Sequence, residues 1–360
     1  MTKPRARELG LPLPGEPGPL NAVTDVPGVR VGLTTVIDEA RGIRTGVTAI
    51  VPREDAGRPQ PVWAGFAKLN GNGEMTGTHW IEDAGHFVGP VCITNTHSVG
   101  IVHHAATRWT IDRYADVFSE RHLWAMPVVA ETYDGVLNDI NGQHVTEAHA
   151  RAALDGAAGG PVAEGGVGGG AGMIAYEFKG GTGTASRRVA LDGEPFTIGA
   201  LVQANHGIRD WLTVCGVPVG RSMQEGRLLS AEQGSIIVVL ATDAPLGPLT
   251  LRHLARRASI GIGRGGTPGG NNSGDIFLAF SVAEPCDLPP LSPMRRTTTV
   301  FSGEDIDPLY LAAVEAVEEA VLNALVAGES VPTVKPAGGR CAAIDTGLLR
   351  RLLDEGGRIG

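Results

Sequence analysis

The chain has no apolar run approaching the ~18–20 residues that cross a bilayer, which argues against a membrane protein. It has no basic block either, and a formal charge of −9 spread along its length argues against a nucleic-acid partner. Its start, MTKPRARELGLPLPGEPGPL, lacks the apolar core of a secretory signal. Cysteine is scarce. Cys92, Cys215, Cys286 and Cys341 are widely spaced, with no CxxC pair, as expected for free thiols in a reducing cytoplasm rather than a disulfide framework. His79, His86, His97, His103 and His104 form no HExxH or other defined ligand spacing, so no metal site is expected. The stretch GVGGGAG (166–172) lacks the Lys-Ser/Thr ending of a phosphate loop and reads as a tight connection near the active site. With no solenoid repeat and no long linker, residues 1–360 read as a single domain with a loose Pro/Gly-rich arm over 1–20.

What the chain has in excess is glycine. Its 52 residues are roughly twice the usual ~7%. They fall in clusters without a collagen period, which marks tight turns and close backbone approaches. Between the clusters lie apolar, β-branched runs. SIIVVLA (235–241) reads as a strand buried on both faces, and 91–96, 196–204, 275–283 and 297–301 read as further strands. Helices are expected over 99–115, 145–157, 249–258, 308–327 and 346–355. In the helix over 308–327, Asp307 is placed to cap, Pro308 sits first and Gly328 closes the end. Leu311, Val314, Val317, Val321 and Leu325 recur on one face, with Glu315, Glu319 and Asn323 on the other. Strands and amphipathic helices sharing one core imply a layered α/β architecture.

One stretch bears on chemistry. In PGGNNSGDIFLAFS (268–281), Gly and Asn, which tolerate positive φ, lead into Ser273 at the mouth of a strand. Such a loop can strain the Asn272–Ser273 peptide bond. Attack of the Ser273 hydroxyl on the Asn272 carbonyl, followed by hydrolysis, would leave Ser273 as a new N-terminus. Its α-amine, with a reference pKa of roughly 7.7–8.0, then becomes a nearby base. Read alone, the stretch is also an ordinary turn. Ser302 and Glu304, two apart after the 297–301 run, would share a face in extended backbone. A hydroxyl and a carboxylate so placed suit proton handling beside a nucleophile, although a capped helix entry has the same composition. ALVQANHG (200–207) ends an apparent strand in Asn205, whose amide suits an oxyanion donor or simply a turn.

Taken in order, NAVTDVPGVRVGLTTV, GNGEMTG, ITNTHSVG, PVVAETYDGVLNDING, GGVGGGAGM, LVQANHG, GGNNSGDIFLAFS and FSGEDIDPLYLAAVEAVEEA span nearly the whole chain. Together they resemble the self-processing serine aminopeptidases of the L-aminopeptidase/D-esterase and β-peptidyl aminopeptidase family. The resemblance implies an α/β fold, a four-layer α/β/β/α sandwich similar to N-terminal nucleophile hydrolases but with different strand connectivity. It implies cleavage into a 1–272 α chain and a 273–360 β chain, with Ser273 as nucleophile and Asn205 as oxyanion donor. Ser302 and Glu304 would support Ser273. It implies release of N-terminal amino acids from short peptides, amides or esters, a tetramer of processed units, and no metal or organic cofactor. Glu131 of AETYDG, Glu304 or both would bind the substrate amine, and Tyr133 either shapes the pocket or is a buried aromatic. The competing expectations are an acyltransferase like the self-cleaving ornithine acetyltransferases, which use threonine, and a non-catalytic binding homologue.

Overall fold

The apolar run from Ser235 to Thr242 forms a strand whose two faces enter two different cores. Ile236, Val238 and Leu240 point into one cluster; Ile237, Val239 and Ala241 point into another. Period-two alternation in a solidly apolar strand demands cover on both sides, and this one requirement sets the layering. The computed structural model describes residues 3–229, 231–283, 291–292, 294–295 and 297–359.

In chain order the elements are β1 (Arg30–Asp38), β2 (Ile43–Val51), β3 (Pro61–Gly71), α1 (Thr78–Ala84), β4 (His86–Val88), β5 (Val91–Asn95), α2 (Val99–Arg113), α3 (Ala115–Glu120), β6 (Val128–Thr132) and α4 (Glu147–Asp155). There follow the ribbon β7 (Ile174–Ala175) and β8 (Phe178–Lys179), then β9 (Gly181–Leu191), β10 (Glu194–Asn205), β11 (Ser235–Thr242), α5 (Pro248–Arg264) and β12 (Gly274–Ser281). The chain ends with α6 (Asp307–Val326), the ribbon β13 (Val331–Pro332) and β14 (Arg340–Cys341), and α7 (Thr346–Glu355). A four-stranded sheet has the order β1-β2-β5-β6, and a six-stranded sheet the order β4-β3-β12-β11-β10-β9. Their facing sides share a core that includes Ile50, Ile93, Ala130, Leu201, Ile237 and Leu278. Helices α2 and α4 cover the outer side of the small sheet through Val102, Trp109 and Leu154. Helices α5 and α6 cover the outer side of the large one. The stack is α/β/β/α, as expected.

Helix α6 departs from its expected amphipathic reading. Glu319 and Asn323 are fully buried, and Glu315 nearly so, whereas Leu311 is 51% exposed. The reason is the N-terminal arm, which is docked rather than loose. Ala6, Leu9, Leu11 and Leu13 are buried in the helix-side core. Arg7 Nε donates to both Glu319 oxygens at 3.0 and 2.9 Å, Ala6 N–H donates to Asn323 Oδ1 at 3.0 Å, and Arg187 Nη2 donates to Glu319 at 2.7 Å. The polar stripe of α6 is therefore a hydrogen-bonded seam, which is how buried charge is tolerated. Asp307 begins the helix rather than capping it, and Pro308 is the second residue. Where α6 crosses α5, Gly261 lets the helices touch: a Cβ there would lie 2.7 Å from Val317 Cβ.

The expected strand at 297–301 does not form. Thr297–Val300 are exposed and unpaired with any described strand, and Phe301 is held by its N–H on Pro245 O at 2.9 Å, by its ring edge-on to Phe196 and by packing against the helix-side core. Threonine-rich β propensity without a free sheet edge yields extended coil. Cys92 and Cys341 are buried thiols and Cys215 is half-buried; Cys286 lies outside the described residues.

Candidate active site

Four residues line up across the large sheet at one end. Asn205 closes β10 opposite Ser235, Ser235 pairs with Gly274, and Gly274 pairs with Gly71. The β11–β12 pair is parallel, so both strands present their N-terminal mouths here, with Ser235 first in β11 and Ser273 just before β12, on strands roughly 4.8 Å apart.

Ser273 is 1% exposed, and its hydroxyl donates to Asp275 Oδ1 at 2.6 Å. Asp275 is buried; burial raises its pKa, while hydrogen bonds from Ser273, Asn70 and the Ile236 N–H draw it back. Two side chains from the end of β3 fasten the loop before Ser273. Asn70 Nδ2 donates to Gly270 O at 2.9 Å, and Asn72 Nδ2 donates to Asn272 O at 2.6 Å. Ser235 is 5% exposed, and among the described residues its hydroxyl has no hydrogen-bond partner. Gly234, just before it, sits so tightly that a Cβ would lie 1.8 Å from Asn205 O. Only glycine fits there.

Asn205 Oδ1 accepts the Ile174 N–H at 2.8 Å, and Nδ2 donates to Tyr133 O at 3.0 Å. A cavity of about 30 Å³ is lined by Tyr133, Val136, Gly172, Ile174, Asn205, Gly207, Leu229, Gln233 and Gly234. The 166–172 stretch thus reaches the site through Gly172. Tyr133 is 40% exposed and is a wall of this cavity, not a buried aromatic. Glu131 comes from the small sheet and is buried. Its Oε1 accepts the Glu74 N–H at 2.9 Å and its Oε2 accepts a short bond from the Thr96 hydroxyl. Burial raises its pKa, and those two hydrogen bonds oppose the rise. Gly73 spaces it from the serines: a Cβ there would lie 2.9 Å from Glu131 Oε1 and 3.7 Å from Gly274 Cα.

Ser302 and Glu304 are elsewhere. Both are exposed, and Ser302 lines a surface hollow with Leu191, Asp192, Phe301 and Ile306, at the β9–β10 turn. Strand β10 runs from that turn to Asn205, twelve residues or roughly 35 Å. Helix α6, which Ser302 precedes, starts at that far end because its own packing on β9 fixes it there. The hydroxyl–carboxylate pair two residues apart does exist at the site, but it is Ser273–Asp275.

Sequence reasoning passed over Ser235, Asp275 and Glu232. The signal for Ser235 was present: QGSIIVVLA, a glycine and a serine before the most apolar strand, is the same arrangement as GGNNSGDIFLAFS. The longer Gly/Asn run drew attention to the second copy.

Comparison with known proteins points to one family. Residues 21–337 match Peptidase family S58. The chain is 47% identical over 353 residues to a β-peptidyl aminopeptidase of Sphingosinicella microcystinivorans, covering 92% of this chain and 87% of that protein. It superposes with a TM-score of 0.96 on the L-aminopeptidase D-Ala-esterase/amidase of Ochrobactrum anthropi, described as a prototype of the serine aminopeptidases and a variant of the Ntn hydrolase fold. The two are 58% identical, with 99% of this chain and 100% of that one covered. A Burkholderia β-aminopeptidase gives a TM-score of 0.90 at 48% identity, with 98% and 99% covered. A buried serine–serine–carboxylate row beside an asparagine and a second buried carboxylate, on a fold shared over the full length with peptide-bond hydrolases, places this chain in peptidase family S58.

Proposed function

We propose that the chain is a self-processing serine aminopeptidase in which Ser235 is the attacking serine and Ser273–Asp275 handles its proton. The observation that carries this is the free Ser235 hydroxyl next to Gly234 at the cavity wall, while the Ser273 hydroxyl is committed to Asp275. In the precursor, Ser235 Oγ attacks the Gly234 carbonyl carbon. The Gly234–Ser235 C–N bond breaks, the hydroxyl proton ends on the departing nitrogen, and an ester remains. Water then hydrolyses the ester, leaving a Gly234 carboxyl group and a free Ser235 with both hydroxyl and α-amine. The same hydroxyl next attacks the carbonyl of a bound substrate. Asn205 Nδ2 has two hydrogens, one on Tyr133 O, which leaves the second for the developing oxyanion. Glu131, buried and within one glycine of the serines, holds the substrate ammonium. The substrates are short peptides, amides or esters with a free amino terminus.

A second reading keeps Ser273 as nucleophile with a cut after Asn272. It is favoured by Asn72, which already donates to the Asn272 carbonyl. Intact-mass spectrometry separates the two. The first reading gives fragments 1–234 and 235–360, and Ser235→Ala stays whole; the second gives 1–272 and 273–360. A Ser235→Ala chain that processes normally removes Ser235 from the mechanism. Hydrolysis of an N-acetylated peptide as fast as the free one overturns the aminopeptidase reading. The tetramer follows from the family resemblance and the cytoplasmic setting from the widely spaced cysteines; both belong to this proposal, and native mass spectrometry reads the first.

A further inference from the structure

The segment between β10 and β11 carries a buried carboxyl group that the scheme above leaves unused. Glu232 Oε1 accepts the Gly207 N–H at 2.6 Å. Its side chain packs on the loop that leads to Ser273, where a Cβ on Gly270 would lie 2.6 Å from Glu232 Cγ. The Gly234 N–H also lies close enough to act on the carboxyl group. One side chain thus touches the turn after Asn205, the loop before Ser273 and the residue whose carbonyl is to be attacked.

Its Oε2 is buried without a hydrogen-bond partner, and so are both ring nitrogens of His206 and the Tyr176 hydroxyl. His206 and Tyr176 meet edge-on at 5.1 Å. Orphaned polar atoms are rare in folded proteins, and several together single out this spot. Burial pushes Glu232 up to about 7; the charge of Asp275 adds to this, and the Gly207 and Gly234 N–H groups oppose it. Burial pushes His206 down to about 3, so it is neutral, and raises Tyr176 as well. The charged group facing Glu232 is therefore Asp275, from β12. Burial beside Asp275 favours the neutral carboxyl of Glu232, and the two N–H groups favour the ionised one.

We propose that Glu232 is a positioning residue for self-cleavage, bracing residues 232–234 between the Gly207 turn and the Gly270 loop so that the Gly234 carbonyl faces Ser235. This rests on the reading that Ser235 attacks Gly234. The brace is made by the Gly207 N–H on Oε1 and by the packing of the side chain on Gly270, so it depends on the length of the side chain and its acceptor oxygen rather than on its charge.

The test follows the full-length precursor from a cell-free pulse, chased from about pH 5.5 to about pH 8.5, with fragments read by intact mass. Glu232→Gln keeps the acceptor for Gly207 and removes the charge. It is expected to cleave within about threefold of wild type at each pH. Glu232→Ala and Glu232→Asp, which lose or shorten the brace, are expected to cleave roughly tenfold to a hundredfold more slowly, since small misplacements cost that much. The aspartate variant serves if the alanine variant misfolds. A 235–360 fragment appearing at the wild-type rate from both Glu232→Ala and Glu232→Asp overturns the brace and leaves the Ser235 reading intact. Glu232→Gln as slow as Glu232→Ala also overturns it, because proton transfer would then be the role. A 273–360 fragment instead overturns the underlying reading.

Discussion

Replacing Glu131 by glutamine isolates the charge that is to hold the substrate's ammonium. The wild-type carboxylate accepts the Glu74 N–H on Oε1 and the Thr96 hydroxyl on Oε2. A glutamine fits both: its carbonyl oxygen takes the Glu74 N–H, and its amide donates to the Thr96 oxygen once that hydroxyl turns round. The fold should therefore survive. Since burial has raised the Glu131 pKa, loss of the charge should leave stability at neutral pH equal or slightly higher. Removing one partner of a buried, hydrogen-bonded charge pair costs about 2–5 kcal/mol. Glutamine keeps the hydrogen bonds, so the lower end applies: about 2 kcal/mol, or roughly thirtyfold in kcat/KM. The ammonium is present in ground and transition states alike, so the loss should fall on KM and spare kcat. The assay is steady-state hydrolysis of an aminoacyl p-nitroanilide by the processed enzyme across pH. In the wild type, kcat/KM should fall as pH drops through a value above the ordinary carboxylate range, because protonation removes the anchor; Glu131→Gln should lack that limb. A kcat/KM within about twofold of wild type, or a loss confined to kcat, refutes the assignment of Glu131 as amine anchor.

Asn205→Ala should lower kcat by about 10²–10³ through loss of an oxyanion donor. It should also destabilise the fold by about 1–3 kcal/mol, because the buried Ile174 N–H loses its acceptor; kinetics and denaturant titration of one processed sample check both. Arg7→Ala should cost about 1.5–3 kcal/mol in a denaturant titration, since the bidentate pair to fully buried Glu319 is lost; a loss under about 0.5 kcal/mol means that the arm is not part of the core. Glu232 has a folded pKa near 7, above its unfolded value, so its contribution to stability is full at low pH and is lost as pH rises toward 7. Glu232→Gln should therefore gain thermal midpoint over wild type on going from about pH 5 to about pH 8; a constant difference counts against the shift.

A layered α/β core was legible because the 235–241 run is apolar on both faces and strands alternate with amphipathic helices, whereas the four-layer order came from the family resemblance. The helices were legible in type, and α7 in its bounds. What failed needed information from afar. Glu315, Glu319 and Asn323 read as a solvent face because their cover, the arm at Ala6 to Leu13, lies some three hundred residues earlier in the chain. Thr297–Phe301 carried strand propensity without a partner edge, which propensity does not reveal. The candidate site was legible in part. Asn205, Glu131 and Ser273 do converge on one sheet end. Ser302 and Glu304 satisfied the local rule for a hydroxyl–carboxylate pair, but no local rule states which end of the sheet a loop returns to. Ser235, the serine proposed to attack, is masked by its own strand, whose apolar run reads as core from its first residue on.

The order β3-β12-β11-β10 has a consequence for the processed molecule. A cut before Ser235 puts β11 and β12 on one polypeptide and β3 and β10 on the other, so the fragment's two strands are clamped edge to edge between strands of its counterpart. The halves cannot part without tearing the central sheet, and separation becomes the same event as unfolding. Before the cut, folding is unimolecular; afterwards, reassembly is a second-order encounter between two incomplete sheets. Under the proposed cut, the lifetime of the processed form is governed by its unfolding rate. The apparent midpoint of the nicked form should rise with protein concentration wherever refolding can be observed, while that of the uncut Ser235→Ala chain should not.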